Sequence, residues 1–253
     1  MATLSVPLPR RVSDGAAPAI SPESALENGD RLTRSEFERR YEARPDIKKA
    51  ELIEGVVYMP SPARSGSHAR PHAAMIIWLG NYAVSTPGLQ INDNPTVRLD
   101  LDNEPQPDVA LLIDPGAGGQ VRLSDDDYIE GAPELVAEIA ASSASYDLHD
   151  KLHAYRRNGV REYLVWRTLE RRIDWFELVD GTYRPLQHDA AGLRHSKVFP
   201  GLRLAVDAML QDDLATVLRE QQRALGEAAH KAFAARLAGG ALVSGNPGQE
   251  LAP

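Results

Sequence analysis

No cysteine occurs in this chain, so disulfides and thiolate zinc sites are both excluded, and any metal must be held by carboxylates or imidazoles. That leaves hard cations, or zinc on histidine. There is no run of about eighteen apolar residues of the kind a membrane-spanning helix needs. The opening MATLSVPLPRR holds too short an apolar stretch for a secretory signal, so a cytoplasmic protein with no membrane partner is expected. An excess of positive charge is also missing. The formal net charge of −8 argues against a protein that coats nucleic acid nonspecifically, because phosphate binding needs a basic surface. It does not exclude a nuclease, whose metal site is itself rich in carboxylates. A local group such as Arg156, Arg157, Arg161, Arg167, Arg171 and Arg172 could supply phosphate contacts, or could simply solvate exposed faces.

What is present is enough for one large domain or two small ones in 253 residues. Residues 1–29 are rich in Pro, Ala and Ser without apolar periodicity and read as a disordered leader. A folded domain is expected over 30–210, a helical extension over 211–240 and a flexible tail over 241–253. Thr33 stands three residues before Glu36, a capping-box spacing, and Phe37 and Tyr41 lie four apart in a short helix. ELIEGVVYM carries β-branched residues around a Gly turn and predicts a hairpin, ended by Pro60 and Pro62. From His68 to Tyr82 the residues Met75, Ile76, Leu79 and Tyr82 recur at helical spacing.

Strands follow. TVRLDL alternates, while PDVALLI and ELVAEIA are nearly all apolar and imply burial on both faces. DLHDKLHAYRRNG predicts a helix with Asp147 as N-cap and Gly159 just past its end. EYLVW is a core strand, IDWFELVDGTYRPL a hairpin turning at Asp180-Gly181, and Asp207–Ala238 one or two terminal helices. This mixed order, without internal repeats, predicts an α/β or α+β fold with a central mixed sheet flanked by helices.

Within that frame one carboxylate is anomalous. Glu138 lies inside LVAEIA, where Val136 and Ala140 share its face and Leu135, Ala137 and Ile139 share the other. A carboxylate buried there costs several kcal/mol unless it is paired or coordinates a metal. Asp108 opens PDVALLI behind Pro107, which cannot donate to a ladder, so its carboxylate sits at a strand's mouth. Lys151 lies on the buried stripe of Leu148, Leu152 and Tyr155 and should point inward. Such a lysine can pair structurally with Glu138. It can equally complete a site in which two carboxylates hold Mg²⁺ and the ammonium orients a water or stabilises phosphorane-like charge.

The run from Glu51 to about Leu204 resembles the Uma-two putative restriction endonuclease family, a group with the PD-(D/E)XK nuclease fold. The matching stretches are ELIEGVVYMPSP, a His before a helix ending WLGNY, QPDVALLI, APELVAEIAASSASYDLHDKLHAYRRNGVREYLVW, and a hairpin followed by SKVFPGL. The resemblance implies a restriction-endonuclease-like core with Asp108 as the PD aspartate and Glu138 as the acid of the second half-motif. Lys151 then stands for a lysine displaced onto the next helix, since Ala140 occupies the usual position. It further implies Mg²⁺- or Mn²⁺-dependent hydrolysis of DNA, the metal held by Asp108, Glu138 and the carbonyl of Ile139. Glu54 either adds to that site or is a hairpin surface residue. His68 or His72 either approaches phosphate and water or is an exposed helix-start histidine.

Other readings are weaker. His149 and His153 flank Asp150 in an HxxxH spacing, but the Asp is a methylene shorter than a metalloprotease Glu and no third ligand is signposted. Ser142, Ser143 and Ser145 lack a nucleophile elbow. PGAGG lacks a following Lys-Ser/Thr. Trp166, Trp175 and Phe176 could stack on bases, though at strand spacing they read as sheet packing. The principal alternative is a noncatalytic nucleic-acid-binding or scaffold protein with the nuclease fold. Terminal helices could serve a homodimer or cap the domain.

Overall fold

The computed structural model describes residues 25–60 and 64–243. The expected leader up to residue 24, Pro62, and the expected tail from residue 244 lie outside the described residues. Folded structure begins within the last residues of the expected leader: Leu26 is buried with Phe37, Ala50, Leu52 and Val57, and Gly29 N donates to Val57 O.

α1 (Arg34–Glu42) starts where expected, at Thr33, but the capping box does not form. Glu36 is held instead by Arg39 and Arg40 at 2.8 and 2.7 Å, and those charge-assisted bonds outcompete the reach back to the cap. β1 (Glu51–Ile53) and β2 (Val56–Tyr58) pair antiparallel. Their two-residue turn puts Glu54 and Gly55 at φ of 52° and 71°, the positive pair that a twist-matched hairpin turn needs. A π-helical turn over Ser65–Ala69 runs into α2 (Arg70–Val84), so the helix begins before His68.

β3 (Leu89–Asp93) follows, then β4 (Val97–Arg98), which is all that TVRLDL contributes as strand. The Asp100 carboxylate accepts from Asp102 N at 2.8 Å and turns the chain, leaving Leu101 exposed. β5 (Val109–Ile113) is buried throughout. β6 (Arg122–Leu123) and β7 (Ile129–Glu130) form a small sheet with β4. β8 (Leu135–Ala140) is likewise buried at every position.

The next helix begins three residues before the expected cap, as α3 (Ala144–Tyr146), a π-helical turn over Asp147–Lys151, and α4 (Leu152–Asn158). Ser143 precedes it, and Asp147 is a helical residue turned inward. Gly159 closes it at φ 87°, as expected. β9 (Glu162–Arg167), β10 (Arg172–Val179) and β11 (Thr182–Pro185) complete the expected strand and hairpin, with positive φ at Asp180 and Gly181. β12 (Leu193–His195) pairs β13 (Arg203–Ala205), and the described chain ends in α5 (Val206–Leu210), α6 (Leu214–Leu225) and α7 (Ala228–Val243).

The central sheet has the order β11-β10-β9-β8-β5-β3. Only the pairing of β8 with β9 is parallel, because α3 and α4 carry the chain back between them as a crossover. Strand periodicity then assigns two faces. Leu135, Ala137, Ile139, Leu164 and Trp166 pack under α2 with Val217 of α6 and Phe233 and Leu237 of α7, so the terminal helices cap this face. Val136, Ala140, Tyr163 and Val165 pack under α4. Trp166 and Trp175 are buried in the first of these cores, while Phe176 is partly buried against the second. The PGAGG loop is structural: Glu134 pins it by accepting from Ile113 N and Gln120 N, and a Cβ on Gly119 would meet Ile113 O at 1.9 Å. Among the described residues no helix is long and apolar enough to cross a membrane.

Candidate active site

The register of the sheet places two carboxylates side by side. β5 and β8 run antiparallel with Val109 opposite Ala137, so one step further along puts Asp108 opposite Glu138. Directly opposed residues of an antiparallel pair point to the same face. Here that is the face covered by α4, and the π-helical turn leading into α4 delivers Lys151. The Asp108 carboxylate is fixed by Ile139 N, which donates to Oδ2 at 2.7 Å. Its Oδ1 faces His68 Nε2 at 3.5 Å and Lys49 Nζ at 3.6 Å. Glu138 Oε1 accepts from Lys151 Nζ and from the Tyr155 hydroxyl, each at 2.9 Å.

Two further acids complete the cluster. Glu51, at the start of β1, accepts from Lys151 Nζ at 2.8 Å and from Gln106 N at 2.7 Å through one oxygen. It thereby ties the small hairpin, the segment entering β5 and the π-helical turn before α4 to one point. Asp147 lies one helical turn before Lys151, 4.0 Å from its ammonium, and accepts from Ser143 Oγ at 2.6 Å. Glu51, Asp108, Glu138 and Asp147 are each 3–4% exposed, as is Lys151 at 3%. Three of these carboxylates, Glu51, Glu138 and Asp147, thus lie within 4.0 Å of one buried ammonium, while Asp108 faces Lys49 and His68 instead.

Electrostatics follow from that imbalance. Burial pushes the Glu138 carboxyl up to about 8; Lys151 pulls it down, and the neighbouring Asp108, Asp147 and Glu51 push it up further. Burial likewise raises Asp147 to about 6, against Lys151 and the Ser143 hydroxyl. Burial alone would discharge Lys151, but the joint attraction of Glu138, Glu51 and Asp147 outweighs it and holds the ammonium well above its ordinary value. Lys151 is therefore a fixed cation, with two of its three N–H donors committed to Glu51 and Glu138. The Tyr146 hydroxyl is buried beside this group without a hydrogen-bond partner among the described residues, its ring 4.0 Å from that of Tyr58. Burial, then Glu51, raises its pKa far above the usual phenol value.

Asp108, Glu138, Ile139, Lys151 and His68 are brought together. The Nδ1 of His68 lies 3.1 Å from Ile139 O. His72 is adjacent but engaged with backbone, its Nε2 being 3.0 Å from Asp108 O and 3.1 Å from Asp93 Oδ1. Glu54 is not in the cluster. It sits at the hairpin tip, exposed, paired with Arg157 at 2.9 Å. Glu51 takes the inward place three residues earlier, a placement the Glu-Gly turn dipeptide could have signalled, since a turn residue points away from the core. Asp147 was missed as a site residue because it read as a cap; its i, i+4 spacing to Lys151 was the available signal. The arginines Arg156, Arg157, Arg161, Arg167, Arg171 and Arg172 do not form one patch. Arg156, Arg157 and Arg161 bond Gly181 O, Glu54 and Gln120, whereas Arg167 and Arg172 share Asp174. His149 bonds Ser145 O from an exposed position.

Among the described residues no group of three or more His, Asp or Glu side chains is arranged to hold a metal ion. The donor set present is two carboxylates, Asp108 and Glu138 on neighbouring strands, with the carbonyl of Ile139, the residue after Glu138, 3.1 Å from His68 Nδ1. These are hard oxygen donors of the type Mg²⁺ and Mn²⁺ take, and the surplus of buried negative charge is what a divalent cation would offset. The residues present fit such an ion. Both π-helical turns, over Ser65–Ala69 and Asp147–Lys151, carry side chains facing the cluster, and a π-turn shifts side chains out of α register in a way functional sites commonly use.

A model of the Uma2 family, described as putative restriction endonuclease, matches residues 34–207. Among solved structures, a putative nuclease belonging to DUF820 from Anabaena variabilis ATCC 29413 is similar, with a TM-score of 0.52 and 15% identity over 64% of this chain and 89% of that one. That likeness concerns the fold. No curated protein matches.

Proposed function

We propose that this chain, which belongs to the Uma2 family of putative restriction endonucleases, is a metal-dependent endonuclease that hydrolyses DNA phosphodiester bonds at the Asp108–Glu138–Lys151 cluster. The observation that carries the reading is the surplus of buried carboxylates that meet around one lysine, beside the sheet position shared by Asp108 and Glu138. A structural ion pair needs one acid for one base. Three buried acids around one base, with a fourth, Asp108, on the strand beside Glu138, are poorly explained by stability, because each uncompensated buried charge costs several kcal/mol.

Asp108 and Glu138, with the carbonyl of Ile139, would hold Mg²⁺ or Mn²⁺. Bound there, the ion would supply charge neutralisation at the scissile phosphate and a more acidic water. Ile139 N fixes the Asp108 carboxylate and leaves Oδ1 open toward His68 and Lys49. Lys151, fully charged, offers its remaining N–H donor to a phosphate oxygen or to the attacking water and stabilises negative charge as the P–O bond breaks. Because it stays protonated, it acts as an electrostatic group and not as a base. Glu51 and Tyr155 are positioning residues that hold Lys151 and Glu138. His68, half-buried at the rim, is placed to contact phosphate or water.

The test uses the full chain, Glu138→Gln and Asp108→Asn on supercoiled and single-stranded DNA with Mn²⁺ or Mg²⁺, beside calorimetric titration with Mn²⁺. The expected outcome is cleavage by the parent, a loss of about 100-fold or more in either variant, and weaker Mn²⁺ binding with unchanged melting. Cleavage retained by Glu138→Gln sinks the assignment. DNA binding without cleavage by the parent, and without bound Mn²⁺, favours the noncatalytic nucleic-acid-binding scaffold.

A further inference from the structure

A second group of charged residues lies on the same sheet face. The register that opposes Glu138 to Val165 also opposes Val165 to Asp174, so Asp174 on β10 stands two strands from Glu138 in one transverse row, about 10 Å away at ordinary strand spacing. Beside it opens a cavity of about 380 Å³, lined by Leu148 of the Lys151 helix and by Arg167, Arg172, Phe176 and Arg194.

Asp174 takes Arg167 Nε at 2.8 Å on one oxygen and Arg172 Nε at 2.7 Å on the other. Arg167 also pairs with Glu170. Arg172 engages its Nε with Asp174, and both terminal nitrogens of its fork make no hydrogen bond or ion pair among the described residues. Arg194 NH1 donates to Ile173 O at 2.6 Å, closing the edge of β10 beyond the end of β11. That edge bond explains one nitrogen of Arg194. Its Nε is buried without a partner, and the residue forms no ion pair among the described residues. Burial accordingly depresses its pKa. Three guanidiniums meet two carboxylates, and the surplus is one positive charge, the magnitude a single phosphodiester group neutralises. A planar fork with free terminal N–H groups is the side-chain chemistry suited to phosphate oxygens.

We propose that this cleft is a phosphate subsite that grips the nucleic-acid backbone beside the cleavage position, with Arg172 and Arg194 as its contacts and Asp174 as the residue that orients Arg172. The proposal rests on the nuclease reading for its ligand, but its test reads binding and not cleavage. The subsite sets the path of the strand: a backbone phosphate in the cleft and another at the Asp108–Glu138 pair fix its direction, from the β5 side toward β10, around the helix that covers Val165 between them.

Binding of a fluorescein-labelled oligodeoxynucleotide to full-length Glu138→Gln protein is measured by anisotropy across a NaCl titration, then repeated with Arg172→Gln, Arg194→Gln and Arg194→Lys added. Arg219→Gln, an exposed arginine of α6, serves as a charge-matched control. Arg172→Gln and Arg194→Gln are expected to weaken binding about tenfold and to lower the slope of log K against log salt by about 0.7–0.9 each, one phosphate contact's worth. Arg194→Lys should keep the slope and lose part of the affinity, and Arg219→Gln should change neither. Unchanged slope and affinity in exposed Arg172→Gln, whose removal does not threaten folding, overturns the subsite, and so does a parent that binds no oligonucleotide. Displacement by thymidine 5′-monophosphate at lower concentration than by unlabelled oligonucleotide makes the cleft a nucleotide site and overturns the backbone assignment. Cleavage in the Mn²⁺ assay is scored separately, so the nuclease reading stands or falls on its own.

Discussion

Two buried glutamates on neighbouring strands, Glu138 of β8 and Glu162 of β9, look alike in sequence and are opposite in structure. Glu162 faces the α2 side and accepts from Trp175 Nε1, the Ser196 hydroxyl, Lys197 N and Val198 N, with no ion pair among the described residues. Every donor is neutral and the arrangement is complete, so its task is to anchor the segment that carries Phe199 into the core. Glu138 faces the α4 side and meets a cation, a phenol and three more carboxylates. A satisfied buried acid marks a structural joint; an acid in a cluster with unbalanced charge and an unpartnered hydroxyl marks a place built for something else to enter.

The largest expected effect lies on the structural side. Glu162→Ala strips partners from an indole, a hydroxyl and two backbone N–H groups, at about 1–3 kcal/mol for each group left unsatisfied. Urea unfolding should show a loss of about 4 kcal/mol or more, whereas Glu138→Gln should change stability by less than about 1 kcal/mol; equal losses would erase the distinction. Next comes Lys151→Met, which leaves buried carboxylates without their cation and should cost about 3–5 kcal/mol. Combining it with Glu138→Gln should recover part of that loss, and simple additivity in the double variant would show that the two do not interact.

A pH series separates the same two residues more finely. Burial raises Glu162 to about 7 and Glu138 to about 8, both above the ordinary 4.5. A raised carboxyl means that the folded state holds a proton the unfolded state has released. The associated stability is therefore complete below about pH 4.5 and is lost as pH climbs through 7 and 8. In metal-free buffer the melting temperature should fall over this window, and Glu138→Gln should flatten its upper end while leaving the Glu162 portion. A profile unmoved by that substitution removes Glu138 as a source. The smallest effect is expected from Tyr146→Phe. Deleting an unpartnered buried hydroxyl should leave stability equal or slightly higher, while the cleavage rate falls if that hydroxyl meets water or phosphate; a clear drop in melting temperature would mean it already has a partner.

Much of the fold was legible because it follows from periodicity. The all-apolar runs of β5 and β8, the Asp180-Gly181 and Glu54-Gly55 hairpins and the Gly159 stop appear as expected, each set by local sterics or burial. Where a side chain had a choice of partner, local reading failed. Thr33 and Glu36 did not form their box because two arginines were nearer, and TVRLDL was cut short by the Asp100 turn.

The sequence by itself determined that Asp108, Glu138 and Lys151 would be inward-facing or strand-mouth charges, since strand and helix periods alone orient a side chain relative to its own element. Only the tertiary structure decided which charges meet. Glu51 joins the cluster across 100 residues of chain, Glu54 does not, and Asp147 turns inward in place of capping. The reason is physical. Orientation on an element is a local property of backbone geometry, but the company a buried charge keeps depends on the register and docking of separate elements, and its energy depends on that company.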